Sequence, residues 1–342
     1  MPGKQTYKAD IVTVAQVAGV SPATVSRTMN HPDLVSPATR KKIEKAIRKT
    51  GYIRNRAAQA MYGRRSATLG LVVPTVNHSI FAELVQSFND AVAEHGFTLL
   101  LATHNYDLQT EYRVIRKLLE HRVDGIGLIG LDHAEDIYRL FKSQNVPVIA
   151  VWSYSETARI PSIGADNHEA GMLAAEHILS LGHRRIGFIF PPMAENDRAR
   201  ARFNAARALL HQAGIPCPED HTAHSLYSIA QAKQACRDLL ARNLSLTALI
   251  CGNDVIAQGA SAAAQELGLR IPQDISIIGI GDFAGSGDSY PALTTVRIPA
   301  QEIGAMAGEK LVERIAAPES AQIPHSRFPV SLKQRATTAP PR

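Results

Sequence analysis

The sequence predicts an α/β protein in which a small helical head precedes two doubly wound lobes, each a parallel sheet covered by helices. Three observations carry this. Residues 1–65 hold 13 Lys and Arg against 3 Asp and Glu, whereas the whole 342-residue chain has a net charge of only +6. Two short helical patterns divided by a glycine sit inside that basic end. From Thr68 onward, apolar runs rich in β-branched residues alternate with amphipathic helical stretches.

The head is read from "TVAQVAGVSPATVSRTMN". Thr13 is expected to cap a first helix, because Val14, Val17 and Ala18 recur at helical spacing. Gly19 suits the left-handed residue that ends a helix. Ser21 then caps a second helix with Pro22 in its first turn, where a missing N–H is harmless. Val25 and Met29 form the inner stripe, which leaves Ala23, Ser26 and Arg27 facing outward. A third helix is expected from Ser36-Pro37 through "ATRKKIEKAIRKTGY", with Ile43, Ala46 and Ile47 inward. Two short helices braced by a third make a helix-turn-helix unit. A small bundle with a solvated basic face is the plainer alternative. The uneven charge favours a nucleic-acid-binding module on a partner domain of opposite balance.

The segments "VTVAQVAGVSPATVSRTMN" and "VSPATRKKIEKAIRKTGYIRNRAAQAM" resemble the head of the LacI/GalR family of bacterial repressors. In that family a "GYxPNxxAxxL" segment continues into a hinge helix that enters the DNA minor groove. Here "GYIRNRAAQAM" departs twice, with Arg54 for the usual Pro and Met61 for the wedging Leu. Met is long and apolar, so it retains the chemistry needed to unstack a base step, and Arg54 offers another phosphate contact. The resemblance places Ser21, Pro22, Ala23, Ser26 and Arg27 in or beside the major groove. Pro22 and Ala23 offer apolar contact, and Arg27 can pair with guanine or hold a phosphate. Thr13 and Asn30 are implied phosphate contacts; Asn55, Arg56 and Met61 complete the set around the hinge. One such unit reads few base pairs, so the resemblance implies a homodimer on a palindromic operator in double-stranded DNA, or a tetramer built from such dimers.

The lobes are read from "LGLVVP", "TLLLAT", "DGIGLIG", "PVIAVW", "RIGFIF", "TALIC" and "DISIIGIG", separated by helical patterns such as "FAELVQSFNDAVAEHG". Continuous apolar strands between helices imply parallel sheets. Roughly ten strands exceed one sheet of ordinary size, so two lobes are expected. "HILSLGHRRIGFI", "GNDVIAQGA", "GLRIPQDISIIGIGDF" and "PALTTVRIP" resemble the same family's effector domain, of periplasmic-binding-protein type. The expected division is a head and hinge at 1–67 and an effector and dimerisation domain at 68–342. Its N-lobe takes about 68–165 and 298–328, and its C-lobe about 166–297 and 329–342.

Ligands of open parallel sheets sit beyond the carboxyl ends of strands. "ENDRARARFNAARALL" follows "RIGFIF" at such an end. Arg198 and Arg202 are neighbours one helical turn apart, Arg200 points elsewhere, and cations at a helix start repel the dipole and one another. The fragment reads as a solvated helix start or as a clamp for an oxygen-rich or anionic ligand, and from the residues alone both stand. The family resemblance favours the clamp. It implies Arg202 first and Arg200 second as effector ligands, leaves Arg198 as plain surface, and adds Phe81, Trp152, Tyr227, Asn253 and Asp282. Trp152, the single Trp, follows a strand and suits stacking on a sugar or ring face.

No apolar run approaches the ~20 residues that span a bilayer, and no signal segment is read at Met1, so a cytoplasmic protein is expected. Cys217, Cys236 and Cys251 show no metal spacing. "GIGLIG" at 125–130 satisfies GxGxxG, but its glycines alternate within a strand and position 150 is Ala where an acid is required. His221 and His224 read as a polar loop. No cofactor, metal or catalytic set is therefore expected. A ligand-responsive regulator outranks an extracytoplasmic sugar-binding receptor, which shares the two-lobed architecture, and a nicotinamide-dependent oxidoreductase. The implied effector is a sugar, polyol or sugar acid, with an acid favoured.

Overall fold

A computed structural model describes residues 9–54, 65–77, 79–242, 244–318 and 323–342. Asn55, Arg56, Met61 and the expected hinge helix lie outside the described residues. The chain divides into two compact units, Met1–Arg64 and Arg65–Arg342.

In the first unit, α1 (Ile11–Ala18), α2 (Pro22–Asn30) and α3 (Pro37–Thr50) enclose a small core of Val14, Ala15, Val25, Ile43 and Ala46. The α1 cap differs from expectation. Asp10, not Thr13, is the cap: its carboxylate accepts from the Thr13 N–H and the Thr13 hydroxyl, both at 2.8 Å. Thr13 therefore lies inside the first turn, and the helix starts three residues early because an ionised acceptor at a helix N-terminus outcompetes a hydroxyl. Gly19 ends α1 in the left-handed region (φ 69°), and Ser21 and Ser36 cap α2 and α3 ahead of Pro22 and Pro37.

The second unit holds two six-stranded sheets. The N-lobe sheet runs in the order β11-β5-β4-β3-β1-β2, built from β1 (Thr68–Val73), β2 (Thr98–Thr103), β3 (Gly125–Ile129), β4 (Val148–Ser153), β5 (Ser162–Ala165) and β11 (Ser326–Phe328). The C-lobe sheet runs β12-β10-β9-β8-β6-β7, from β6 (Ile186–Phe190), β7 (Thr222–His224), β8 (Ala248–Cys251), β9 (Ser276–Gly281), β10 (Thr294–Arg297) and β12 (Ser331–Lys333). Every pairing is parallel except β10 with β12. The chain crosses between lobes after β5, after β10 and after β11.

The N-lobe helices are α4 (Ser79–Glu94), α5 (Leu108–Glu120), α6 (Glu135–Gln144) and α11 (Ala300–Ala316); α7 (Asn167–Ser180), α8 (Asp197–Gln212), α9 (Ile229–Leu240) and α10 (Asp254–Glu266) cover the C-lobe. The seven apolar runs fold as β1 to β4, β6, β8 and β9. The other five strands are only three or four residues long, too short for a periodicity to register. Central strands β3, β4, β6, β8 and β9 are buried throughout, as expected for sheets covered on both faces.

Candidate functional site

On the head, α2 presents Ser21, Pro22, Ala23 and Arg27 exposed, with Ser26 half-buried and Val25 fully buried beneath. A short apolar residue and a long cation side by side on an exposed helix face are the shapes that enter a major groove. Asn30 has a local task. Its amide donates to the Ser26 carbonyl at 2.8 Å, while its Oδ1 accepts from Arg54. Arg54 also donates to the Met29 carbonyl at 3.3 Å. Arg54 thus fastens the segment after α3 to the end of α2, where the sequence suggested an added phosphate contact. The fastening arises because the last carbonyls of a helix are unsatisfied and attract a guanidinium.

In the second unit, strand order reverses at β1, between β2 and β3, and at β6, between β7 and β8. Each switch point opens a crevice at the carboxyl ends of the strands, and these ends supply the site. A small inner chamber is lined by Phe81, Tyr106, Trp152, Arg198, Arg202, Tyr227, Asn253 and Phe283. Five of the seven expected effector residues therefore come together: Phe81, Trp152, Arg202, Tyr227 and Asn253. Arg200 and Asp282 do not.

Arg200 turns outward, pairs with Asp132 at 2.5 Å and donates to the Met193 carbonyl at 2.9 Å. Helical geometry explains this, since residues two apart lie on opposed faces. Asp282 accepts from Arg335 at 2.6 Å; its backbone is left-handed (φ 57°), and the next residue, Phe283, reaches the chamber instead. Arg198, expected at the plain surface, is buried and lines the chamber. Tyr106 and Phe283 were missed as individual residues. Phe283 lies within "GIGDF", and Tyr106 follows the end of β2, a position that the rule on strand ends would have flagged.

The electrostatics are set by two guanidiniums and one carboxylate. Asp197 accepts from Arg198 at 2.7 Å, from the Leu131 N–H at 3.1 Å and from the Ser153 hydroxyl at 3.0 Å. The last two partners belong to the N-lobe, so the first turn of α8 holds the lobes together. Burial works against the Arg198 charge, but Asp197 and the Tyr106 and Tyr227 hydroxyls more than offset it and raise its pKa. Among the described residues Arg202 has only neutral hydrogen-bond partners, Asn167 Oδ1 at 2.8 Å and the Gly252 carbonyl at 3.0 Å. Burial lowers its pKa to about 10, with Tyr227 opposing and the Arg198 charge adding to the fall. It remains a cation at neutral pH. The starts of α8 and α10 lie at the same place, and both dipoles favour negative charge there. Asn253 spends its Oδ1 on the Ile256 N–H at 3.0 Å, which leaves its amide NH2 as a donor.

The aromatic residues shape the chamber. Trp152 meets Phe81 edge-on at 5.9 Å, and Tyr106 of the N-lobe faces Tyr227 of the C-lobe at 5.6 Å. Trp152 has φ 82°, an outlier for a bulky side chain and a form of strain found at functional sites. The neighbouring strand accommodates it through Gly164, where a Cβ would lie 2.3 Å from the Trp152 carbonyl carbon.

No group of three or more His, Cys, Asp or Glu side chains suited to a metal occurs among the described residues, and no described helix is long and apolar enough to cross a membrane.

Residues 10–55 match the family "Bacterial regulatory proteins, lacI family", and residues 66–336 match "Periplasmic binding proteins and sugar binding domain of LacI family". The HTH-type transcriptional regulator MalR of Streptomyces coelicolor is 32% identical, over 93% of this chain and 92% of that protein. The lac repressor dimer bound to operator and the anti-inducer ONPF superposes with a TM-score of 0.83 at 27% identity, over 97% of this chain and 99% of that one. The transcriptional regulator CelR in its cellobiose complex gives a TM-score of 0.69 at 27% identity, over 96% and 99% of the two chains. With an exposed helix-turn-helix face and a two-lobed cleft matched along nearly its whole length, the chain belongs to the lacI family of bacterial regulatory proteins.

Proposed function

We propose that this protein is a ligand-responsive transcriptional repressor that binds a palindromic operator as a homodimer and releases or grips it according to a small effector between the lobes. The observation that carries the reading is one chain uniting an exposed helix face on a basic head with a cleft that buries two guanidiniums against one carboxylate. The relatives include a dimer on operator and a cellobiose complex, which supports both halves. On the head, Ser21, Pro22, Ala23, Ser26 and Arg27 meet base edges, and Thr13 and Asn30 lie toward the backbone. In the cleft Arg202 grips the effector, with Arg198, Trp152, Tyr227, Phe81 and Asn253 around it. Arg200 and Asp282 stay outside the chamber, paired with Asp132 and Arg335. The effector is a small oxygen-rich molecule, and the surplus cation favours a sugar acid over a neutral sugar or polyol.

Control follows from differential affinity, since a ligand shifts an equilibrium only as far as it prefers one lobe arrangement. The Asp197 contacts to Leu131 and Ser153 stabilise this arrangement of the lobes, and an effector that competes for Arg198 or Arg202 alters that balance. The test is binding of labelled palindromic DNA by the intact protein across a salt series. Counterion release predicts a steep fall of log affinity with log salt, about −0.9 per neutralised phosphate. Salt-independent binding, or none to any palindrome from a randomised pool, overturns the reading.

A further inference from the structure

The inner chamber does not stand alone. Its volume is about 20 Å³, room for about one water. Beside it lies an outer chamber of about 470 Å³, within the size range of small-molecule sites. The two share Tyr106 and Tyr227 as walls. This pair faces across the lobes, one ring from each, at a 32° tilt. Tyr106 is delivered by two successive left-handed residues, Asn105 at φ 51° and Tyr106 at φ 62°. The Asn105 N–H holds the turn by donating to the Pro74 carbonyl at 2.8 Å. A non-glycine pair in this region stores backbone strain, and here the strain places an aromatic ring as a partition.

The chambers differ in chemistry. The inner one carries Arg198 and Arg202, and among the described residues Arg202 has no carboxylate within ion-pair distance. Among the described residues the outer one carries no charged side chain. Its polar groups are Thr75, Asn77, Asn105, Asn196, Ser228 and Gln231, set among the faces of Pro191, Pro192 and the two tyrosines. Amides and hydroxyls beside flat apolar faces match a hydroxyl-bearing ring. Asn196 is already held by the Tyr227 hydroxyl and the Ala199 N–H, but a purely aromatic occupant would offer the Asn77, Asn105 and Gln231 amides no partner, at a cost for each one buried.

Resting on the reading of the cleft as the effector site, we propose that it is divided into two subsites by a Tyr106–Tyr227 door. An anionic group passes the door to Arg198 and Arg202, and a neutral saccharide ring stays outside. The effector class is then an acidic saccharide of two units, in which one end is a carboxylate-bearing sugar. A lone sugar acid places only its carboxylate in the inner subsite once the door opens. A neutral disaccharide fills only the outer one.

Trp152 is the single Trp of the chain, is buried and lines the inner chamber, so its fluorescence reports access to that chamber alone. The experiment uses the full-length protein, with iodide and caesium as quenchers of opposite charge. Wild type and Tyr106→Phe, which keeps the ring, are expected to resist both. Tyr106→Ala is expected to raise the iodide quenching constant severalfold and leave caesium quenching near wild type. Tyr227→Ala tests the door from the other lobe should Tyr106→Ala fail to fold. Unchanged iodide quenching in both alanine variants overturns the door, and equal gains for iodide and caesium overturn the anionic inner subsite. In the second arm, cellobionate and lactobionate are compared with cellobiose, lactose and gluconate as protectants of Trp152 in Tyr106→Ala. Stronger protection by either acidic disaccharide than by its neutral parent and by gluconate supports the two-part class. Protection by gluconate alone, or by none of the five, overturns it. Operator binding by the same variants is read in parallel. Wild-type operator affinity in a protein that fails the quenching test removes the door and leaves the regulator reading standing.

Discussion

Replacing Arg202 by Met removes the cation that has no carboxylate partner among the described residues and keeps an unbranched side chain, shorter by the guanidinium end. The fall of its pKa from the ordinary 12.5 to about 10 shows what burial costs the charge, about 3 kcal/mol at about 1.4 kcal/mol per tenfold. Methionine relieves that cost but leaves Asn167 Oδ1 and the Gly252 carbonyl without their donor, at about 1–3 kcal/mol each. The opposing contributions partly cancel, so the variant is expected to fold with stability within about 3 kcal/mol of wild type. Ligand binding has no such compensation. A charge-assisted hydrogen bond to an effector anion is worth about 1.5–3 kcal/mol, so its loss weakens effector affinity roughly 10- to 150-fold. The assay is fluorescence anisotropy of a labelled operator titrated with sugar acids, after a thermal-shift screen against wild type has chosen the acid. Arg202→Met is expected to bind operator within about twofold of wild type, since α2 is untouched, and to lose its response to the acid. Equal loss of operator binding and of ligand response would refute the division of labour between head and cleft. A full response at the wild-type acid concentration would refute Arg202 as the anion ligand.

Gly164→Ala puts a Cβ 2.3 Å from the Trp152 carbonyl carbon in the adjoining strand. Backbone cannot yield as a flexible side chain would, so a loss of about 1–3 kcal/mol and a Tm lower by several degrees are expected; an unchanged Tm with unchanged Trp emission would show that the strand pair is not so tightly set. His104 is buried, neither of its ring nitrogens has a hydrogen-bond partner among the described residues, and burial lowers its pKa to about 4, Glu111 opposing and Arg198 adding to the fall. Because the folded value lies below the unfolded 6.5, its contribution to stability is present above pH 6.5 and is lost as pH falls toward 4, by up to about 3 kcal/mol. Urea unfolding across that window should show a shallower acid loss in His104→Phe than in wild type; identical slopes would remove His104 as the cause.

The head was legible because its signals are local. Gly19, Ser21-Pro22 and Ser36-Pro37 act within one turn of chain, and caps of that kind hold wherever the helix packs. The cap of α1 was misplaced for the same reason in reverse: Asp10 and Thr13 both fit, and only the competition between them, decided by charge, chose Asp10. The lobes were legible from continuous apolar runs, while β5, β7, β10, β11 and β12 exist as strands because a neighbouring edge supplies hydrogen-bond partners that no short window of sequence contains.

By itself, the sequence determined the basic head, the order of the seven longer strands and the helical stretches between them, and the presence of an arginine cluster after β6. Charge, periodicity and capping are properties of residues close in the chain. Only the tertiary structure decided which arginines face the cleft. Arg198 and Arg202 share one face of α8 while Arg200 reaches Asp132, an acid 68 residues away that no local pattern could assign to it. The meeting of Tyr106 with Tyr227 was likewise decided in three dimensions. They come from different sheets, and contact between groups so distant in sequence arises from how two lobes pack.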